Sequence, residues 1–387
     1  ILDLGLAFSK DAKTFKAGQS LSAFLEVEHD VIADIEVTTN RPDAMSIVGL
    51  AREAATILQH PFTWKASKIK AGNEKLAVHV AEKKLCPRFM AIRIDGVTVG
   101  PSPWWMKRRL LSAGQRPINN LVDITNYILL ELGRPMHVFD ADKLQGGLNI
   151  RCAKVGETLK ALDGKTYELA LHHLVVDDDI APQSIAGIMG GEESGVTLDT
   201  TSIIFECAVW DPIYLRRAAR ELNLTSGSQS LFEKGLSIES CPIGMARAVE
   251  LCLELAQGTV ASALADVQAH AYKLQSYTTT LTEVRTLMGV EISLSEAKDT
   301  LTRLGFTVRT VGKKIHATVP WWRDHDIESG RDLIEEVARV YGYARIPATY
   351  PPAGVPNTIE RGLTLERQVR EFAAAAGYTE AFNYSFI

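Results

Sequence analysis

An α+β, multidomain chain is the fold class the sequence predicts, on three observations. Its 387 residues exceed what one hydrophobic core organises, so two or three domains are expected. Strand-type runs such as RFMAIRIDGVTV (88–99) and TSIIFECAVW (201–210) stand beside helical stripes such as SIVGLAREAATIL (46–58). Towards the C-terminus, two short helices, a hairpin and a further helix follow one another in the order of a winged-helix arrangement.

Taken in order, AFLEVEHDVIADIEVT (23–38) carries β-branched residues in partial alternation and reads as strands. NRPDAMS turns the chain into a helix over 46–58, with Ile47, Leu50, Ala54 and Leu58 on one apolar stripe. KASKIKAGNEK (65–75) is polar enough to be a linker. A long mixed segment from about Leu76 to Asp266 follows. It holds a helix from Pro103 to Ala113, short strands with a turn at Asp163-Gly164, a glycine turn in GIMGG (187–191), and helices near 212–221 and 242–256. HAYKLQSYTT (270–279) reads as a second linker.

In the compact unit from about Thr278 to Pro347, the first helix ends at Gly289. The next opens on the capping box Ser293-Leu-Ser-Glu296 and buries the stripe Leu294, Ala297, Leu301, Leu304 up to Gly305. FTVRTV and KIHATVP make the hairpin, and a helix runs from about Ile327 to Tyr341. PATYPPAGVP (347–356) is an extended proline-rich linker, followed by a helix from about Leu365 to Ala376 and strand-like EAFNYSF. The domains expected are thus 1–70, 76–270, 278–347 and 357–387.

Hydrophobic residues make up 46% and charged residues 23%, which excludes a disordered chain. No apolar run is long enough to span a bilayer. The opening ILDLGLAFSK has neither a signal-peptide pattern nor an initiator Met, so a fragment with an internal start is expected. The five cysteines are scattered and never spaced Cys-x-x-Cys; buried thiols in a reducing compartment, by default the cytoplasm, are expected rather than zinc or disulfides. A formal charge of −5 argues against wrapping nucleic acid over the whole surface and leaves a local patch open.

Residues Arg116 to Asp140, RPINNLVDITNYILLELGRPMHVFD, set Asn119, Asn120, Asn126, Thr125 and His137 among apolar residues. Buried amides must find hydrogen-bond partners, so such convergence suits the wall of a small-ligand pocket. The same letters suit a helix whose Asn and Asp residues merely cap and turn the chain. Asp332, Glu335 and Glu336, at i, i+3 and i+4 with Asp326 just before, either crowd carboxylates for a magnesium ion or form a solvated acidic face near a helix N-terminus. WWMKRRLLSAGQR (104–116) could stack on bases, but an amphipathic helix with a basic outer face gives the same composition. No nucleophile triad, Walker loop or dinucleotide fingerprint is present.

Four ordered blocks, TTNRPDAMSIVGLAREAA, NNLVDITNYILLELGRPMHVFDADKL, IAGIMGGEESGV and DLIEEVARVYGYARIP, resemble the β subunit of bacterial phenylalanyl-tRNA synthetase over nearly the whole chain. The resemblance implies an editing domain at 76–270 that hydrolyses tyrosine wrongly esterified to tRNA(Phe), flanked by a structural module, a winged-helix-like domain and the start of a catalytic-like module. It implies that His137, Arg116, Thr125 and Asn126 surround the pocket, with Gly190, Ala186 on its flank, and Glu206 as receiver of the tyrosine hydroxyl. Ser226 and Ser228 are weaker members: in SGSQSLFEKG, Gly227 and Leu231 replace the family's acid and arginine. It further implies magnesium on Asp326, Asp332, Glu335 and Glu336. The partners it implies are tRNA(Phe), an α subunit that performs the ATP-dependent aminoacylation, and a second β subunit in a heterotetramer. The alternative is a non-catalytic tRNA-binding and α-docking scaffold with a decayed pocket.

Overall fold

The computed structural model describes residues 16, 18–25, 31–350, 354 and 360–386. They fall into two compact units, one ending at Tyr343 and the other beginning at Ala344.

At the centre of the first unit, Arg88–Asp95 and Ser202–Val209 pair antiparallel over their full length, Ser202 opposite Asp95 and Val209 opposite Arg88. His137–Asp140 lies on the other edge of Ser202–Val209, and Thr259–Val260 and Ala265–Gln268 both pair with Arg88–Asp95. Every residue of Ser202–Val209 is buried. The run is continuous rather than alternating in polarity because both faces of the sheet are covered. Ile203, Phe205, Cys207 and Val209 pack against Ile124 and Ile128 of helix Asn120–Leu132 and Met245 and Val249 of helix Ser240–Leu255. Ile204 and Ala208 point the other way, into a core shared with Val175, Ile185 and Trp210.

That second core is covered by a mixed sheet in the order Val78–Val80, Leu148–Cys152, Leu174–Asp177, Pro182–Ile185, Met189–Gly190, in which only the first pair is parallel. Glu206 belongs to the same face as Ile204 and Ala208 by strand periodicity, and so projects between the two sheets.

The winged-helix-like region has the expected helices, Leu281–Met288, Leu294–Arg303 and Gly330–Tyr341, around a core of Val284, Ala297, Leu301 and Leu333. Capping boxes open all three: Thr280 with Glu283, Ser293 with Glu296, and Ser329 with Asp332.

Four expectations are corrected. Ser276–Thr280, inside the supposed linker 270–279, is a strand; it pairs with Lys314–Thr318 and makes the hairpin a three-stranded sheet. Its Ser and Thr residues look like linker composition but pair well on a half-exposed edge. Within 23–38 no strand forms among the described residues: Leu21–Leu25 is helical, 31–38 is irregular, and 26–30 lie outside them. Helix Ile47–Ile57 buries Val48, Gly49 and Thr56, while Ile47 and Leu58 of the apolar stripe stay exposed. Polar ties decide that orientation: Thr56 Oγ1 donates to the Arg303 carbonyl at 2.9 Å, and Glu53 pairs with Arg339. In the second unit, helix Arg361–Ala375 is present, but 380–386 form no strand and leave Phe382 and Tyr384 exposed. Half of linker 347–356, residues 351–353, 355 and 356, lies outside the described residues.

Candidate active site

A cavity of about 290 Å³, small for a ligand site and suited to a single side chain, opens where the two sheets meet. Its chemistry begins with strand register. His137 is directly opposite Glu206 on neighbouring antiparallel strands, so both side chains leave the same face.

Glu206 is buried, and burial pushes its carboxyl up to about 8 despite the counteracting positive charge of Arg134. At neutral pH it is mostly the uncharged acid. His137 packs edge-on to Phe139, with ring centroids 4.4 Å apart. Part of its ring faces the cavity, but Nε2 is covered and has no hydrogen-bond partner among the described residues, and burial lowers its pKa to about 4. The imidazole is therefore neutral at physiological pH.

Gly190 makes this packing possible, because a Cβ there would be 2.4 Å from His137 Cε1. Gly187 supports the wall in another way: its φ of +70° is left-handed, and a Cβ would meet Trp210 Cδ1 at 2.5 Å.

The predicted residues divide by what they touch. Thr125, Asn126, His137, Gly190, Glu206, Ser226 and Ser228 line the cavity together. Arg116 is exposed in the loop before helix Asn120–Leu132, and Ala186 is buried in the core behind the wall; neither lines the cavity. Thr125 spends its hydroxyl on the Val122 carbonyl at 2.7 Å, and Ser226 caps helix Gly227–Phe232 while donating to the Ile188 carbonyl at 3.0 Å. Gly227 and Leu231 are thus part of an ordered helix. The side chains of Asn126 and Ser228 make no hydrogen bond among the described residues and present free polar groups to the cavity.

The other asparagines are structural. Asn119 caps its helix by accepting from the Val122 N–H, and Asn120 is satisfied by Gly100, Thr98 and Leu255.

Arg134, in the same Gly-Arg-Pro-Met-His motif, was not among the predicted site residues. It is fully buried, donates to Ser240 Oγ and the Ala208 carbonyl, and lies 5.1 Å from the Phe232 ring centre. A charged residue directly before Pro135-Met136-His137 was the available signal.

The four predicted metal ligands do not form a cation site. Arg323, itself buried, donates to Asp326 and Glu336 at 2.7 Å each, and Arg339 holds the other side of Glu336. Burial alone would raise the Glu336 pKa, but these arginines hold it at about 2. Asp332 accepts from the Ser329 N–H in its capping box, and Glu335 is exposed. A guanidinium already supplies the positive charge that crowded carboxylates require, so these residues do not fit magnesium.

Among the described residues, metal-ligand spacing occurs at His172, His173 and Glu221. There the Ala170 N–H donates to His173 Nδ1 at 3.1 Å, which leaves the ring proton on Nε2, the atom facing Glu221.

The two-sheet domain with its internal pocket, followed by a three-helix winged unit, defines the class: residues 85–257 match the B3/4 domain and residues 277–343 the tRNA synthetase B5 domain. The chain is 40% identical over 386 residues to the phenylalanine–tRNA ligase β subunit of Brucella suis, covering 97% of this chain and 47% of that protein. It is 35% identical to the Carboxydothermus hydrogenoformans β subunit, with 96% and 46% covered. An N-terminal fragment of the phenylalanyl-tRNA synthetase β-subunit from Pyrococcus horikoshii aligns over 79% of this chain and 85% of its own at 18% identity, with a TM-score of 0.44. The chain belongs to the phenylalanine–tRNA ligase β-subunit family and spans about half the length of the curated relatives it matches.

Proposed function

We propose that this chain is the proofreading part of a phenylalanine–tRNA ligase β subunit and hydrolyses tyrosine wrongly esterified to tRNA(Phe). In the whole enzyme it would serve ATP-dependent charging by an α subunit, within a cytoplasmic heterotetramer of two α and two β subunits. The observation that carries the reading is the His137–Glu206 pair on one sheet face, inside a cavity the size of one side chain.

An aromatic side chain enters beside Gly190, and a phenolic hydroxyl reaches Glu206. Phenylalanine would leave that buried polar group unpaired, and pockets built this way discriminate by roughly 10⁴ or more. Neutral His137 orients the ester or the terminal ribose, while Asn126 and Ser228 offer hydrogen bonds to the attacking water. Rate enhancement comes from positioning rather than from a strong nucleophile.

The test follows ester loss from tyrosine-charged and phenylalanine-charged tRNA(Phe), with Glu206→Ala as control. Selective loss of tyrosine that vanishes in the control supports editing. No loss above the spontaneous rate, in this chain and in the complete enzyme alike, leaves a scaffold instead.

A further inference from the structure

A second cavity, of about 660 Å³, opens between helix Ile47–Ile57, the segment 60–66 and the turn Trp321–Arg323. It shares no lining residue with the His137–Glu206 pocket. Phe62, Trp64, Trp321 and Trp322 bring aromatic rings to it, so three of the chain's six tryptophans meet here, all partly exposed. No aspartate or glutamate lines it, while the adjoining cavity that shares Arg52, Trp64, Trp321 and Trp322 is lined by Asp43, Asp324 and Asp326.

Arg52 is central to the groove. Its guanidinium stacks 4.0 Å from the Trp322 ring centre and 5.5 Å from that of Phe62, and makes no hydrogen bond among the described residues. The carboxylates nearest to it are taken. Asp43 accepts two bonds from Arg41, at 2.8 and 2.9 Å, and Glu53 is held by Arg41 and Arg339. Arg303 is likewise paired with Asp299, so of these cations Arg52 and Lys65 have no ion-pair partner among the described residues. Trp322 is fixed from below: Gly305 lies so close that a Cβ would be 2.5 Å from Trp322 Cζ2.

We propose that this groove binds single-stranded nucleic acid, with a base stacked on its tryptophans and a phosphate received by Arg52 and Lys65. A guanidinium donates up to five hydrogen bonds in a planar fork matched to phosphate, and Arg52 holds that fork over the Trp322 indole with none of the bonds made among the described residues. A carboxylate from a protein partner would satisfy Arg52 but would not use the indoles. An inorganic anion would fill only a small part of the volume. Basic groups interleaved with aromatic rings are what sequence-tolerant strand binding requires.

The experiment titrates the full chain with a short single-stranded oligoadenylate and follows indole emission, to which the groove contributes three of the six tryptophans. Saturable quenching is expected, weakening as salt rises. Trp64→Ala should weaken binding by roughly 5- to 150-fold, the range set by loss of one stacking partner, and Arg52→Ala should weaken binding and flatten its salt dependence. Lys65→Glu, at an exposed position, should weaken binding without altering the melting temperature and guards against a folding defect in the other two.

Absence of saturable quenching would overturn the proposal, as would unchanged affinity in all three variants. Complete competition by inorganic phosphate at the oligonucleotide's own concentration would reduce the groove to an anion site. Binding of oligoglutamate but not oligoadenylate would reassign it to a protein partner. None of these readouts involves ester hydrolysis, so the groove and the editing pocket stand or fall separately.

Discussion

Glu206→Gln preserves shape while removing the ionisation of the buried carboxyl. Burial raises the folded-state pKa from 4.5 to about 8, so the folded state binds a proton that the unfolded state releases between those values. Below pH 4.5 both states are protonated and the group costs nothing. As pH rises, stability falls, and the loss levels off once the folded form also ionises above pH 8. At 1.36 kcal/mol per pKa unit, the cost is about 1 kcal/mol at pH 5, about 3 kcal/mol at pH 7 and about 5 kcal/mol at pH 9. Glutamine does not titrate, so the variant should gain about 4 kcal/mol on the wild type between pH 5 and pH 9. Urea unfolding of both proteins at the three pH values measures the difference, and all other titrating groups cancel. A difference independent of pH, or one that shrinks as pH rises, would refute the burial argument. The same substitution should lower tyrosine selectivity, since an amide cannot become the charged acceptor that a phenol prefers.

Three further outcomes are expected. Gly190→Ala drives a methyl against His137 and should cost roughly 1–3 kcal/mol; ester hydrolysis should drop at least about tenfold with the circular dichroism spectrum unchanged, and full activity would show that the wall is not tight. Glu336, held at about 2 in the folded state against 4.5, stabilises above pH 4.5 and loses that contribution as pH falls towards 2. Relative to Glu336→Gln, the wild type should therefore lose roughly 3 kcal/mol between pH 5 and pH 2 in denaturant titrations, and parallel acid profiles would contradict the Arg323–Glu336 pairing. Ser226→Ala removes both a helix cap and the tie to Ile188 and should destabilise by about 1–2 kcal/mol, with Ser226→Thr restoring the melting temperature.

Local signals were legible where the chemistry is local. The Ser293–Glu296 capping box, the glycine stops at Gly289 and Gly305, and the stripe Ala297, Leu301, Leu304 need only neighbours a few residues apart, and the structure bears them out. The apolar run around Glu206 likewise marked a strand, and every residue of Ser202–Val209 is buried. Failures came where distant partners decide. Helix Ile47–Ile57 turns its apolar stripe outward because Glu53 and Thr56 meet Arg339 and Arg303, 286 and 247 residues further along the chain. Ser276–Thr280 became a strand because Lys314–Thr318 offered it a ladder.

By itself, the amino-acid sequence determined the class, the helix ends, and a shortlist of polar residues in apolar surroundings. Only the tertiary structure decided which of them act together. Strand register set His137 opposite Glu206, a buried guanidinium tied Asp326 and Glu336 into an ion-pair network, and Arg52 was left over the Phe62 and Trp322 rings with no carboxylate partner among the described residues. The physical reason is that hydrogen bonds and charges act over a few ångströms of space, whereas sequence patterns report only a few residues of chain.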